Sequence, residues 1–278
     1  MGRDFSDQSR VLAPGRPGRG GGGEGTPELF GYQGPDPWAP GRTRDVEAAL
    51  EEAKGRIAVV GCIDGPFTRP WFIAGFESFM LLCHDAPEVV QHLVQVCTDF
   101  AIITGKRLAQ AGADALLIAD DLGHKTGPFL SLEHFRRYLL PPFQREVLEL
   151  KKLGVPILLH SDGDINCYLE DLVDTGIDGL NPLQRTANMD LATVKRLYGD
   201  RISLVGNIDA SRTLPYGTAT QIKQEVIEAL RVAAPGGRYV LSTDHSLHGG
   251  IPVQNVMTMI ETAHRFGRYP LNLPERRQ

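Results

Sequence analysis

The stretch "LLHSDGDINC", residues 158–167, begins as an apolar run, delivers a histidine, and then turns at Asp-Gly-Asp. The run from Pro156 to His160 is short, apolar and closed by a turn signal, the pattern of a strand buried on both faces. Its end differs from its middle. His160 and Asp162 stand two residues apart, so on extended backbone their side chains point to the same side. A lone histidine closing a strand is more often a core residue bonded to a carbonyl, and Asp-Gly forms turns regardless of chemistry. The pair together marks a strand end that can carry an active site, with His160 and Asp162 as candidate ligands of one metal ion.

Working outward, five further apolar runs of the same kind occur at 57–61, 115–119, 177–181, 202–206 and 239–243. Helical spacing of apolar residues fills most of the intervals, over 87–111, 132–153, 166–175, 190–198 and 218–233. Thr218 is placed to cap the last of these, and Gly154 follows Lys151 and Lys152 where a helix would end. Apolar strands alternating with amphipathic helices predict a parallel sheet covered by helices, either doubly wound or closed into a (β/α)8 barrel of TIM type.

The strand ends favour the barrel. Each run closes on polar groups: Cys62 and Asp64, Asp120 and Asp121, His160 and Asp162, Asn181 and Gln184, Asn207 and Asp209, Asp244 and His245. A barrel gathers all of its strand C-termini on one face, whereas an open sheet gathers them at a switch point. Six runs are two short of eight, so the barrel is expected to be incomplete or irregular at its N-terminus.

That end of the chain has its own composition. Residues 14–41 hold ten glycines and six prolines among 28 positions, too little apolar surface to offset backbone entropy. Residues 1–43 are therefore expected to be disordered and 44–278 to form the barrel domain. Gly18, Gly20 and Gly23 match a dinucleotide-binding spacing, but no strand precedes them and glycine enrichment alone produces the match.

The chain has 278 residues, 42% of them hydrophobic, with a net charge of −5. That is enough for a substantial core, and the scattered basic residues argue against nucleic acid or an anionic membrane as partner. No signal peptide and no membrane span are expected. Four cysteines without a C-x-x-C pair argue against disulfides and cysteine-only zinc sites. The expected compartment is the cytoplasm.

Around the predicted mouth, Asp120 and Asp121 adjoin at a strand end, so one should face the barrel axis as an acid, base or ligand and the other should cap a loop. Asn181, Gln184, Asn207 and Asp209 offer hydrogen bonds to a polar small-molecule substrate. Asp64, Arg69 and Trp71, in "CIDGPFTRPWF" (62–72), suit a wall for a flat or carboxylated ligand. His245 and His248 lie in "TDHSLHGGIP" beside Gly249 and Gly250, which permit close backbone approach.

Four segments carry a resemblance: "DALLIADDLGHKTGPFLSLEHFRRYLLPP" (114–142), "HSDGDINCYLEDLVDTGIDGLNPLQ" (160–184), "LYGDRISLVGNIDASRTLP" (197–215) and "YVLSTDHSLHGGIPVQN" (239–255). In order and with few gaps, they resemble the uroporphyrinogen decarboxylase superfamily. That superfamily unites the tetrapyrrole decarboxylase and cobalamin-dependent methyltransferases on a (β/α)8 barrel. The resemblance is nearer to the methyltransferase branch, because the decarboxylases' "MRQAGR" string does not occur.

In that branch zinc is held by an H-x-C pair and a later cysteine. The matching positions here are His160, Asp162 and His245, which implies a set of two histidines and one carboxylate for Zn(II) or Fe(II). The implied activity is metal-dependent methyl transfer, with Asp120, Asp121 and His245 as catalytic groups. No D-x-H-x-x-G corrinoid signature is present, so the corrinoid would arrive on a partner protein. The resemblance also leaves open metal-independent uroporphyrinogen decarboxylation and a non-catalytic barrel that binds a corrinoid or tetrapyrrole. A homodimer is a further expectation.

Overall fold

The computed structural model describes residues 26–275. Its main sheet has six parallel strands: β1 (Val60–Asp64), β2 (Ala115–Ala119), β3 (Ile157–His160), β4 (Gly179–Asn181), β5 (Ser203–Ile208) and β6 (Tyr239–Thr243). They lie side by side in chain order. That order excludes the doubly wound alternative, in which strand order reverses at a switch point. It is the order of a (β/α)8 barrel, six strands of which are present among the described residues. Within those residues β1 and β6 do not pair with each other, and their edges expose Val60 and Val240.

Register sorts the side chains into rows. Ile63, Ile118, Leu159, Leu180 and Leu204 are matched from strand to strand and are all buried, forming the row that faces the helices. One residue further along, Asp64, Ala119, His160 and Asn181 form the matched row on the other face, at the C-terminal ends of the strands. A period of two along every strand makes the outer row core and the inner row mouth.

The covering helices are α1 (Arg44–Ala53), α2 (Pro87–Gln110), α3 (Leu140–Lys151), α4 (Leu169–Asp174), α5 (Leu191–Tyr198), α6 (Ala219–Ala233) and α7 (Val253–Phe266). Thr218 caps α6 as expected, with Gln221 completing a reciprocal pair, and Asp190 caps α5 through Thr193. A single helix expected over 132–153 is divided: Leu132–His134, a wide π turn at Phe135–Leu139, then α3. Pro141 and Pro142 lack the N–H groups that would continue an α-helical ladder, which accounts for the break. Two short helices, Thr68–Ala74 and Phe76–Asp85, follow β1, and a two-stranded hairpin, Gly123–His124 with Gly127–Pro128, follows β2.

Part of the N-terminal segment lies within the described residues. Residues 1–25, with Gly18, Gly20 and Gly23, lie outside the described residues. Residues 26–43 are ordered against α2. Leu29 and Tyr32 pack on Ala86, Val89 and Leu93, and His92 Nε2 is 2.7 Å from the Tyr32 carbonyl. Arg107 donates to the Pro37 and Ala39 carbonyls and lies 5.7 Å from the Trp38 ring centre. A few large side chains and one arginine organise a segment whose average composition suggests disorder. All four cysteines are free, and no helix among the described residues is long and apolar enough to cross a membrane.

Candidate active site

The row Asp64–Ala119–His160–Asn181 sets His160 beside Asn181, and His160 Nδ1 is 2.6 Å from Asn181 Oδ1. Past the strand end, the chain turns at Gly163, whose φ is +87° and whose Cβ, were there one, would lie 2.2 Å from the Gly123 carbonyl carbon. Only glycine fits this crossing of two loops. The crossing holds Asp162 at the mouth, where the Asp162 N–H donates to Asp121 Oδ1 over 2.9 Å.

Three side chains converge there. His160 Nε2 lies 3.7 Å from Asp121 Oδ1 and 3.9 Å from Asp162 Oδ1. One ligand atom each from Asp121, His160 and Asp162 falls within 4.8 Å of the others. Asp162 Oδ1 is buried and has no hydrogen-bond partner, and burial raises the Asp162 pKa despite the opposing pull of His160 and His245. A histidine and two carboxylates form a donor set suited to Zn(II) or Fe(II), and a cation would satisfy the orphaned oxygen.

His245 approaches Asp162 from the opposite side, its Nδ1 3.3 Å from Asp162 Oδ2. Its Nε2 is 3.0 Å from Gln184 Nε2, and Gln184 Oε1 accepts the Gly163 N–H at 2.8 Å. The structure therefore brings His160, Asp162 and His245 together, but it is Asp121, not His245, that completes the three-atom cluster. Alternation from Ala119, which shares the inner row with His160, is the signal that points Asp121 inward.

Asp120 faces the other way. Its carboxylate accepts the Phe67 N–H at 3.1 Å and the Thr68 N–H at 2.6 Å, and it is 1% exposed. Burial pushes its pKa up to about 7, against the hydrogen bonds from Thr68 and Phe67. Of the adjoining pair, Asp121 belongs to the mouth and Asp120 fastens the loop after β1.

The remaining candidates have partners within the protein. Asn181 Nδ2 donates to the Val205 carbonyl at 3.3 Å. Asn207 is buried and donates to the Leu183 carbonyl, while Asp209 Oδ1 accepts from Ser211 and Arg212 in its own turn. Asp64 is ion-paired with Arg69. Trp71 stacks on Phe72 with ring centres 4.0 Å apart and meets Phe76 edge-on. His248 is exposed, its Nδ1 accepting the Gly250 N–H.

Glu146 escapes a reading of strand ends, because it sits on α3. It is fully buried, and neither carboxylate oxygen has a partner. Burial raises its pKa well above the ordinary range, and Asp120 and Asp64 add to the effect. The signal is present in the spacing: Glu146 stands between Phe143 and Leu150 on the buried stripe of α3.

Comparison with known proteins gives the family. A model of the uroporphyrinogen decarboxylase (URO-D) family matches residues 42–266. The methylcobamide:CoM methyltransferase MtaA of Methanosarcina barkeri is 27% identical over 215 residues, spanning 77% of this chain and 60% of that protein. A uroporphyrinogen decarboxylase of Thioalkalivibrio sulfidiphilus is 27% identical over 245 residues, spanning 84% of this chain and 67% of the relative. A solved methyltransferase from Methanosarcina mazei superposes with a TM-score of 0.71 at 25% identity, covering 82% of this chain and 64% of the other. The chain thus spans about two thirds or less of the length of these relatives, and both activities occur among them.

Proposed function

Because the chain belongs to the uroporphyrinogen decarboxylase family, we propose that it is a methyltransferase whose Asp121, His160 and Asp162 hold a divalent metal, with the methyl group supplied by a corrinoid on a partner protein. The observation that carries this reading is the convergence of three ligand atoms within 4.8 Å around a buried, unpartnered carboxylate oxygen. Zn(II) or Fe(II) bound there supplies Lewis acidity toward a heteroatom of the methyl acceptor. His160 contributes the Nε2 lone pair, and Asn181 fixes the ring from behind. Asp162 is oriented by His245 on one oxygen and leaves the other facing the mouth. Asp121, with its side chain 46% exposed, forms the outer lip and is the carboxylate a small polar acceptor meets first.

The decarboxylase alternative needs cations for a substrate rich in carboxylates. Arg69 and Arg185, which follow β1 and β4, are instead tied to Asp64 and Glu225. The test is direct. Protein stripped with a chelator and then titrated with Zn(II) is expected to bind one ion and to demethylate methylcobalamin in the presence of a thiol acceptor, with His160→Ala losing both. Uroporphyrinogen turnover in chelator, with no demethylation of methylcobalamin at any zinc level, would overturn the reading.

A further inference from the structure

Two carboxamides flank the two imidazoles at the mouth, and each carboxamide is anchored to the backbone in one orientation. Asn181 Nδ2 donates to the Val205 carbonyl, so it is Oδ1 that faces His160 Nδ1 at 2.6 Å. An oxygen acceptor at that distance requires the hydrogen on Nδ1, and in the neutral ring this leaves the Nε2 lone pair toward Asp121 and Asp162. Gln184 is anchored in the opposite sense. Its Oε1 accepts the Gly163 N–H at 2.8 Å, so its Nε2 donor faces His245 Nε2 at 3.0 Å. Turning the amide over would set an NH2 group against the Gly163 N–H, donor against donor. His245 Nε2 is therefore an acceptor, and the ring's hydrogen lies on Nδ1, 3.3 Å from Asp162 Oδ2.

We propose that Asn181 and Gln184 are positioning residues that give chemically identical side chains opposite roles: His160 presents a lone pair to the mouth, and His245 presents an N–H. The ligand half of this inference rests on the metal reading above; the hydrogen-bond half does not. His245 stays outside the coordination sphere and orients Asp162 instead, because the lone pair a cation needs is engaged by Gln184. The same amino acid, at two strand ends of one mouth, is made acceptor or donor by whether its neighbour offers oxygen or nitrogen.

Nitrogen-15 correlation spectra of the metal-free full chain, with the two rings assigned from His160→Gln and His245→Gln, read the hydrogen positions. Both histidines are expected as Nδ1–H tautomers, the minor form of free imidazole side chains. Asn181→Leu should return His160 to the Nε2–H form and leave His245 alone, while Gln184→Glu, which keeps an oxygen on the Gly163 N–H but turns an acceptor toward His245, should place hydrogen on His245 Nε2 and leave His160 alone. Asn181→Asp, which keeps the acceptor oxygen, preserves His160 as Nδ1–H and guards against loss of fold in the leucine variant. Wild-type rings carrying hydrogen on Nε2 overturn the assignment, as do hydrogen positions indifferent to both Asn181→Leu and Gln184→Glu.

Cobalt(II) titration separates the second half. Asn181→Leu is expected to weaken binding about 10- to 100-fold, the usual effect of removing a ligand's outer partner. His245→Gln, which removes an outer partner of Asp162, should weaken binding by no more than about 10- to 100-fold, whereas a complete loss like that of His160→Ala would make His245 a ligand and refute the division of roles. Wild-type protein that binds no cobalt while showing both Nδ1–H rings overturns the metal reading and upholds the tautomer assignment.

Discussion

Asp120 and Asp121 are adjacent in sequence and occupy opposite sides of the sheet's C-terminal edge. Asp120 lies behind it, 1% exposed, its carboxylate accepting backbone N–H groups from Phe67 and Thr68. Asp121 lies in front, half-exposed, 3.7 Å from His160 Nε2 and bonded to the Asp162 N–H. Gly65 shows how closely the rear side is built, since a Cβ there would fall 2.4 Å from Asp120 Cγ. Alternation along an extended strand is sufficient to assign one carboxylate to architecture and its neighbour to chemistry.

The sharpest way to break that comparison is to remove each carboxylate in turn. Asp120→Ala strands one buried and one part-buried N–H donor and opens a void, and is expected to cost about 3 kcal/mol of stability in urea titration. Asp121→Ala should cost under about 1 kcal/mol, as half-exposed positions do, yet weaken zinc binding at least about tenfold. An Asp121→Ala protein that unfolds, or an Asp120→Ala protein as stable as wild type, would erase the distinction between front and rear.

Glu146 extends the rear region and sharpens the contrast through pH. Burial raises the proton affinity of both Glu146 and Asp120, the latter to a pKa of about 7. The folded chain therefore binds more protons than the unfolded chain above the ordinary carboxylate range, and stability falls as pH rises through that window toward 7 and beyond. Glu146→Gln removes an ionisable group that no neighbour satisfies. It is expected to stabilise the protein by about 1–2 kcal/mol at pH 8 and by much less at pH 5, in urea titrations at the two values. Equal effects at both pH values would mean that Glu146 is not the group that titrates.

What is legible in the sequence follows the same division. The six strands, their polar ends and the barrel order can be read from apolar runs and turns, because burial on two faces leaves a continuous signature. His160 and Asp162 are legible from their spacing. The partners of Asn181 and Gln184 are not: both have the character of substrate hydrogen-bonders until register places one beside His160 and a loop crossing at Gly163 places the other beside His245. The contacts of residues 26–43 are hidden for a different reason, since Leu29, Tyr32 and Trp38 find α2 only in three dimensions. Glu146 stays hidden because attention to strand ends ignores a carboxyl on the buried stripe of a helix.

The smallest expected effect concerns Asp64, which shares a matched row with His160 but belongs functionally to neither region. Its carboxylate is paired with Arg69, and both side chains are partly exposed, at 34% and 45%. Solvent screens such a pair, and exposed ion pairs contribute at most about 1 kcal/mol. Arg69→Ala is therefore expected to lower stability by less than about 0.5 kcal/mol and to leave zinc affinity unchanged within the error of calorimetry. If the same substitution instead raised the KM for the methyl acceptor severalfold at constant kcat, Arg69 would be a contact for that acceptor, and the front region would have to be redrawn to include the first strand as well as the second and third.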